Sequence, residues 1–153
     1  MASNIVAPAP YISILAILVT SGCTRDIRTD LVHHQFEVGN QAFTIALPSE
    51  FQRDTSESFV QFLIPEYRTS RSLRFTASLP PLDDSPRQTS LRHGGELRYD
   101  IATHSGGSGG IETELVGQIA IAETTIGITV TDQDEFSPNP DWCIEFLHTL
   151  RIE

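Results

Sequence analysis

Phe36-Glu37-Val38-Gly39-Asn40-Gln41-Ala42-Phe43-Thr44-Ile45-Ala46-Leu47-Pro48 is the stretch on which the reading of the fold turns. Phe36 and Val38 flank a polar residue ahead of Gly39-Asn40, and Phe43, Ile45 and Leu47 recur at every second position after it. Period-two alternation places one set of side chains on a single face of a strand. A Gly-Asn pair between two such runs marks a two-residue hairpin. Pro48 then stops the second strand, because proline has no N–H to give to a ladder.

Working outward, Phe59 to Ile64 (FVQFLI) predicts a third strand that ends at Pro65. Leu73, Phe75, Ala77 and Leu79 alternate with polar residues, and Pro80-Pro81 closes that run. A polar loop follows over Asp83 to Arg87, and a short helix is expected from Ser90 until Gly94-Gly95 ends it. Leu97, Tyr99 and Ile101 predict another strand. Leu115 to Ile121 and Ile126 to Val130 predict a second hairpin around Glu123-Thr124-Thr125. The period then changes. Asn139-Pro140-Asp141 has the order of an N-cap, a proline at the first helical position and an acid in the first turn. Cys143, Phe146, Leu147 and Leu150 continue at helical spacing. The expected fold class is therefore α+β: an antiparallel sheet with a C-terminal amphipathic helix, and the short second helix, packed on one face.

The chain has 153 residues, 39% apolar and 20% charged, which suits one globular domain. Twenty acidic residues face ten basic ones, all arginine, for a formal charge of −10. Such a balance excludes a nucleic-acid binder, since nothing offsets phosphate repulsion. From residue 24 to residue 99 the acids and arginines nearly cancel, whereas from Asp100 onward Arg151 is the only basic residue. The excess negative charge belongs to the C-terminal third, either as a solvated surface or as a docking face for a cationic partner.

The N-terminus has its own pattern. Tyr11 to Thr20 is an apolar run too short for a comfortable membrane span and suited to a signal-peptide core. It leads into Ser21-Gly22-Cys23, small residues before a cysteine, and then turns polar at Thr24-Arg25-Asp26. This resembles a bacterial lipobox, which implies lipidation at Cys23. Thr20 stands where the lipobox usually has leucine, and no Lys or Arg precedes the apolar run. Residues 1–22 are thus read as a signal peptide, 23–31 as lipidated cysteine and tether, and 32–153 as a single binding domain. A buried N-terminal strand or helix is the alternative. Cys143, the other cysteine, is either an inert buried thiol or the partner of Cys23 in a disulfide.

The apparent catalytic motifs lack the structural context that their chemistry needs. Gly106-Gly107-Ser108-Gly109-Gly110 matches G-x-S-x-G, but that elbow needs a strand before it and a helix after it. Ile111-Glu112-Thr113-Glu114-Leu115 instead reads as a strand. The glycine-rich run is better suited to a hairpin tip that moulds to a partner. Asp132-Gln133-Asp134-Glu135 lacks the glycine and distal glutamate of a calcium loop and reads as an acidic turn or docking surface. The histidines have no metal-ligand spacing. Trp142 is read as a helix-packing residue. No catalytic residue, metal site or cofactor is expected.

Phe43-Thr44-Ile45-Ala46-Leu47-Pro48, with Phe51 nearby, and the closing run Phe146 to Ile152 resemble PsbP-like domains. The lipobox, the small acidic domain, the Gly106 to Gly110 loop with Glu112, and Trp142-Cys143 look like immunity lipoproteins of type VI secretion systems. That resemblance implies a periplasmic inhibitor, lipid-anchored to the outer membrane, that blocks a secreted peptidoglycan-hydrolysing (muramidase) effector and needs no catalysis. Its expected protein-binding residues are Gly107, Ser108, Gly109, Glu112, Asp132, Asp134 and Glu135. The alternative is an envelope accessory or assembly lipoprotein of the PsbP-like type.

Overall fold

A computed structural model of the chain describes residues 30–65, 70–105, 110–133 and 138–153. Ten strands and one short helix follow in order: β1 (Leu31–Val38), β2 (Gln41–Pro48), β3 (Gln52–Thr55), β4 (Phe59–Pro65), β5 (Ser70–Thr76), β6 (Arg87–Ser90), β7 (Gly95–Ser105), β8 (Ile111–Ile121), β9 (Thr124–Asp132), α1 (Trp142–Leu147) and β10 (Arg151–Ile152). They form two antiparallel sheets, one of three strands in the order β1-β2-β10 and one of seven in the order β3-β4-β5-β9-β8-β7-β6.

The β1–β2 hairpin forms as the alternation requires, with Val38 opposite Gln41. Gly39 takes φ 62 while Asn40 does not go positive, the pattern of a type II′ turn, whose twist suits the flanking strands. Phe36 and Phe43 stack across this hairpin at 5.7 Å. Phe36 also meets Phe62 of β4 at 5.5 Å and Phe75 of β5 at 4.8 Å. These rings join the two sheets face to face over one core. Leu97, Leu115, Ile119, Ile128 and Val130, all wholly buried, extend that core along the larger sheet.

The α+β expectation is corrected here. The molecule is a two-sheet β structure, and the second layer over the large sheet is the small sheet, with α1 as a six-residue addition. The helical stripe was real, since Cys143, Phe146, Leu147 and Leu150 are all buried. The helix stops early because Thr149 turns back on β2. Its hydroxyl receives the Ala46 N–H at 2.9 Å and donates to the Phe146 carbonyl at 2.6 Å. Thr149 and Leu150 then make tight i→i−3 bonds, and Arg151-Ile152 pairs with β2. The short helix expected near Ser90 is instead strand β6, paired with β7 at Thr89↔Leu97, and Gly94 (φ 80) makes the turn between them. Cross-strand pairing overrode a weak local helix signal. β3 showed no alternation because all four of its side chains are exposed.

Residues 77–86 carry the chain from β5, in the middle of the large sheet, across its outer face to β6 at the edge. Pro80 accepts a bond from Gln118 Nε2 of β8 (2.8 Å), and the Asp83 N–H donates to Asp100 Oδ2 of β7 (2.7 Å). The crossing is close at Gly127 of β9, where a Cβ would stand 2.3 Å from the Ser78 carbonyl oxygen.

Candidate functional site

The β7–β8 hairpin is the longest in the fold, eleven residues on each strand. Among the described residues it outruns its neighbours. The ladder between β8 and β9 ends at Thr113↔Asp132, and β6 covers β7 only as far as Tyr99. Among the described residues, Ile111 and Glu112 of β8 and His104 and Ser105 of β7 therefore have ladder partners only in each other. Parity explains what each face shows. Ile111 follows the inward set of Thr113, Leu115 and Ile119, but it lies beyond the covered core and is 53% exposed. Glu112 and Glu114 belong to the opposite face with His104, whose Nε2 lies 3.9 Å from Glu114 Oε2. Glu112 accepts a hydrogen bond from Gln133 Nε2, which ties the strand to the segment after β9.

The base of this projection is a polar row at the end of the core face. Ile64, Arg71, Asp132 and Thr113 lie side by side across β4, β5, β9 and β8, and Thr103 follows on β7. Asp132 is wholly buried and sits 3.4 Å from Arg71 Nε. Its Oδ2 also receives the Asn139 N–H at 3.2 Å, which holds the approach to α1. The Arg71 guanidinium lies over the Trp142 ring at 5.6 Å, and Trp142 packs on Phe51 (5.7 Å) and Phe146 (6.1 Å). Sheet, helix and hairpin base are thus pinned at one corner by an ion pair and an aromatic stack.

Of the residues singled out in the sequence, Glu112 and Asp132 can be placed. Glu112 is half-buried on the projecting hairpin, and the Asp132 carboxylate points into the protein at its base. Gly107, Ser108, Gly109, Asp134, Glu135 and Cys23 lie outside the described residues; the first three fall between the paired ends Ser105 and Ile111. The alternation Ile126, Ile128, Val130, Asp132 already carried the signal that Asp132 faces the core. Arg71, Gln133 and His104 carried no such signal, because their roles depend on strand order. Cys143 is a free thiol, wholly buried, and burial pushes its pKa far up, with Asp141 adding to the effect.

A solved structure from Bacteroides thetaiotaomicron VPI-5482 shares the fold, with a TM-score of 0.52 at 13% identity. The match covers 72% of this chain and 45% of that one, so this chain spans less than half of its length. Among curated proteins none matches. One family model does, over residues 44–151, a span holding the entire large sheet, α1 and the corner just described. It is the model of the Type six secretion immunity 3 domain, and the chain belongs to that family of type VI secretion immunity proteins.

Proposed function

We propose that the protein is a non-enzymatic, lipid-anchored periplasmic inhibitor that binds and neutralises a secreted peptidoglycan-hydrolysing effector. The observation that carries this reading is the β7–β8 hairpin, which projects past its neighbouring strands within an immunity-family domain. An inhibitor needs a protrusion that enters a partner's groove and a rigid base that keeps its shape on binding. The glycine-rich connection with Gly107, Ser108 and Gly109 adapts to the groove. Glu112, Asp134 and Glu135 supply the acidic complement to a cationic partner surface, and Asp132 acts from below as a positioning residue through Arg71. Cys23 carries the lipid that keeps the inhibitor where the toxin arrives.

The test is inhibition of a type VI-delivered muramidase by the purified protein, read as release of soluble fragments from cell-wall sacculi. Wild type should abolish release at equimolar ratio. Glu112→Arg with Glu135→Arg should weaken binding about tenfold or more and flatten its salt dependence. Full inhibition by a variant with Gly107-Ser108-Gly109 deleted would overturn the hairpin's role. Intact mass tests the anchor: the native chain should begin at Cys23 and carry fatty acids, and a native chain that retains Met1 would overturn it.

A further inference from the structure

At the other end of the molecule the two sheets part along one side and leave a cleft of about 660 Å³. Its walls include the outer edges of β1 and β3, the edge strands of the small and large sheets, and Ala42 of β2 and Glu153 also line it. The Gln35 carbonyl accepts a bond from Arg53 Nη1 (2.8 Å), so the main-chain groups of Gln35 point away from β2. In an antiparallel strand those of Glu37, two residues on, point the same way. Across the cleft, the Ser56 N–H bonds to the Phe59 carbonyl (2.9 Å), which fixes the hydrogen-bonded pairs of the β3–β4 hairpin and turns the main-chain groups of Arg53 and Thr55 outward. All four of these residues line the cleft. It is thus a slot between two sheet edges that pair with no further strand among the described residues, bridged by one arginine side chain.

The slot has a chemical character. Phe36 and Val60, both core residues, form its floor, and Glu37 and Glu57 stand exposed on its rim. Among the described residues neither glutamate makes an ion pair. A chain of formal charge −10 adds a favourable field for a cation.

We propose that this slot captures an extended basic peptide segment of a partner protein by strand addition. The incoming strand would bond to the open groups of Gln35 and Glu37 on one side and of Arg53 and Thr55 on the other. One of its N–H groups would replace the Arg53 guanidinium at the Gln35 carbonyl. Because strand side chains alternate, apolar ones would seat on Phe36 and Val60 while basic ones meet Glu37 and Glu57. Gln35, Phe36, Glu37 and the Gly39 turn lie before residue 44, whereas Arg53, Thr55, Glu57 and Val60 fall within the matched span, so the slot straddles the start of the matched domain and is separate from its β7–β8 hairpin.

The probe is an end-blocked pentapeptide of alternating valine and arginine, titrated into the full chain while backbone amide resonances are followed. Shifts should centre on residues 35–37 and 53–57. A double variant Glu37→Gln, Glu57→Gln should weaken binding about tenfold, whereas Glu123→Gln, remote and exposed, should not change it. A peptide with glutamate for arginine, or with N-methylated amides on one edge, should fail to bind. Equal binding of either control peptide, shifts centred on residues 103–114, or pairing of two copies of the chain through β1 without the peptide would overturn the proposal. Because the cleft and the hairpin are read by separate resonances, failure here leaves the inhibitor reading intact, and the reverse also holds.

Discussion

Asp132→Ala is the substitution that best separates a supporting role for this carboxylate from direct contact with a partner. At 3.4 Å from Arg71 Nε, the gross Coulomb attraction is about 5 kcal/mol with an effective dielectric of about 20. The Arg71 side chain is 21% exposed, so water recovers part of that when the partner is lost. Loss of the charge-assisted bond from the Asn139 N–H costs a further ~1.5 kcal/mol or more. Together these give a destabilisation of about 3 kcal/mol, at the lower edge of what breaking a buried pair costs, and a sizeable share of a small domain's stability. Urea unfolding should show it as a lower midpoint at unchanged slope. Asp132→Asn keeps an acceptor for Asn139 and should lose about 2 kcal/mol. Replacing both Arg71 and Asp132 with leucine should restore about half of the loss, because no charge is then left unpaired while the Asn139 N–H still lacks its acceptor. If Asp132→Ala unfolds within about 0.5 kcal/mol of wild type, the ion pair does not hold the corner. If it weakens effector binding by orders of magnitude at unchanged stability, the carboxylate meets the partner directly.

Three further outcomes follow from particular contacts. Gly127→Ala should destabilise by about 2 kcal/mol, since its Cβ would overlap the Ser78 carbonyl and displace the crossing segment; faster amide exchange at Asp83 should accompany it, and wild-type stability and exchange would refute the close approach. His34 packs edge-on to Phe62 at 5.1 Å, and burial first, then Arg53 and His33, hold its pKa below the ordinary 6.5. The folded state then binds fewer protons than the unfolded one, so stability should fall as pH drops from about 7 through 6.5 towards the lowered value; His34→Gln should flatten that part of the thermal-unfolding profile, and an unchanged slope would refute the assignment. Cys143 should resist thiol reagents in the native protein and react once urea unfolds it, read by peptide mapping to keep Cys23 separate; prompt native labelling would mean that α1 does not seal this site.

Local alternation made the hairpins legible. Gly39-Asn40 between two period-two runs, Pro48 and Pro65 as stops, and Leu115 to Val130 as a folded-back pair all appear as expected, because a strand's face and a turn's backbone depend on neighbouring residues. The apolar stripe Cys143 to Leu150 was also legible as buried, but its form was not. Whether that stripe makes a full helix depends on Thr149 meeting Ala46, more than one hundred residues away in sequence.

Residue order by itself determined where the chain alternates, where it turns, that its charge excess lies late, and that its makeup suits an immunity domain. Tertiary structure alone decided that β1 and β2 leave the main sheet to form a second layer, and that the inward-facing Asp132 meets Arg71. It also decided that the β7–β8 hairpin outruns β9 and that two sheet edges face each other across a cleft. The physical reason is common to all four. Each is a relation between strands distant in sequence, and strand alternation says which face is buried without saying which neighbour buries it.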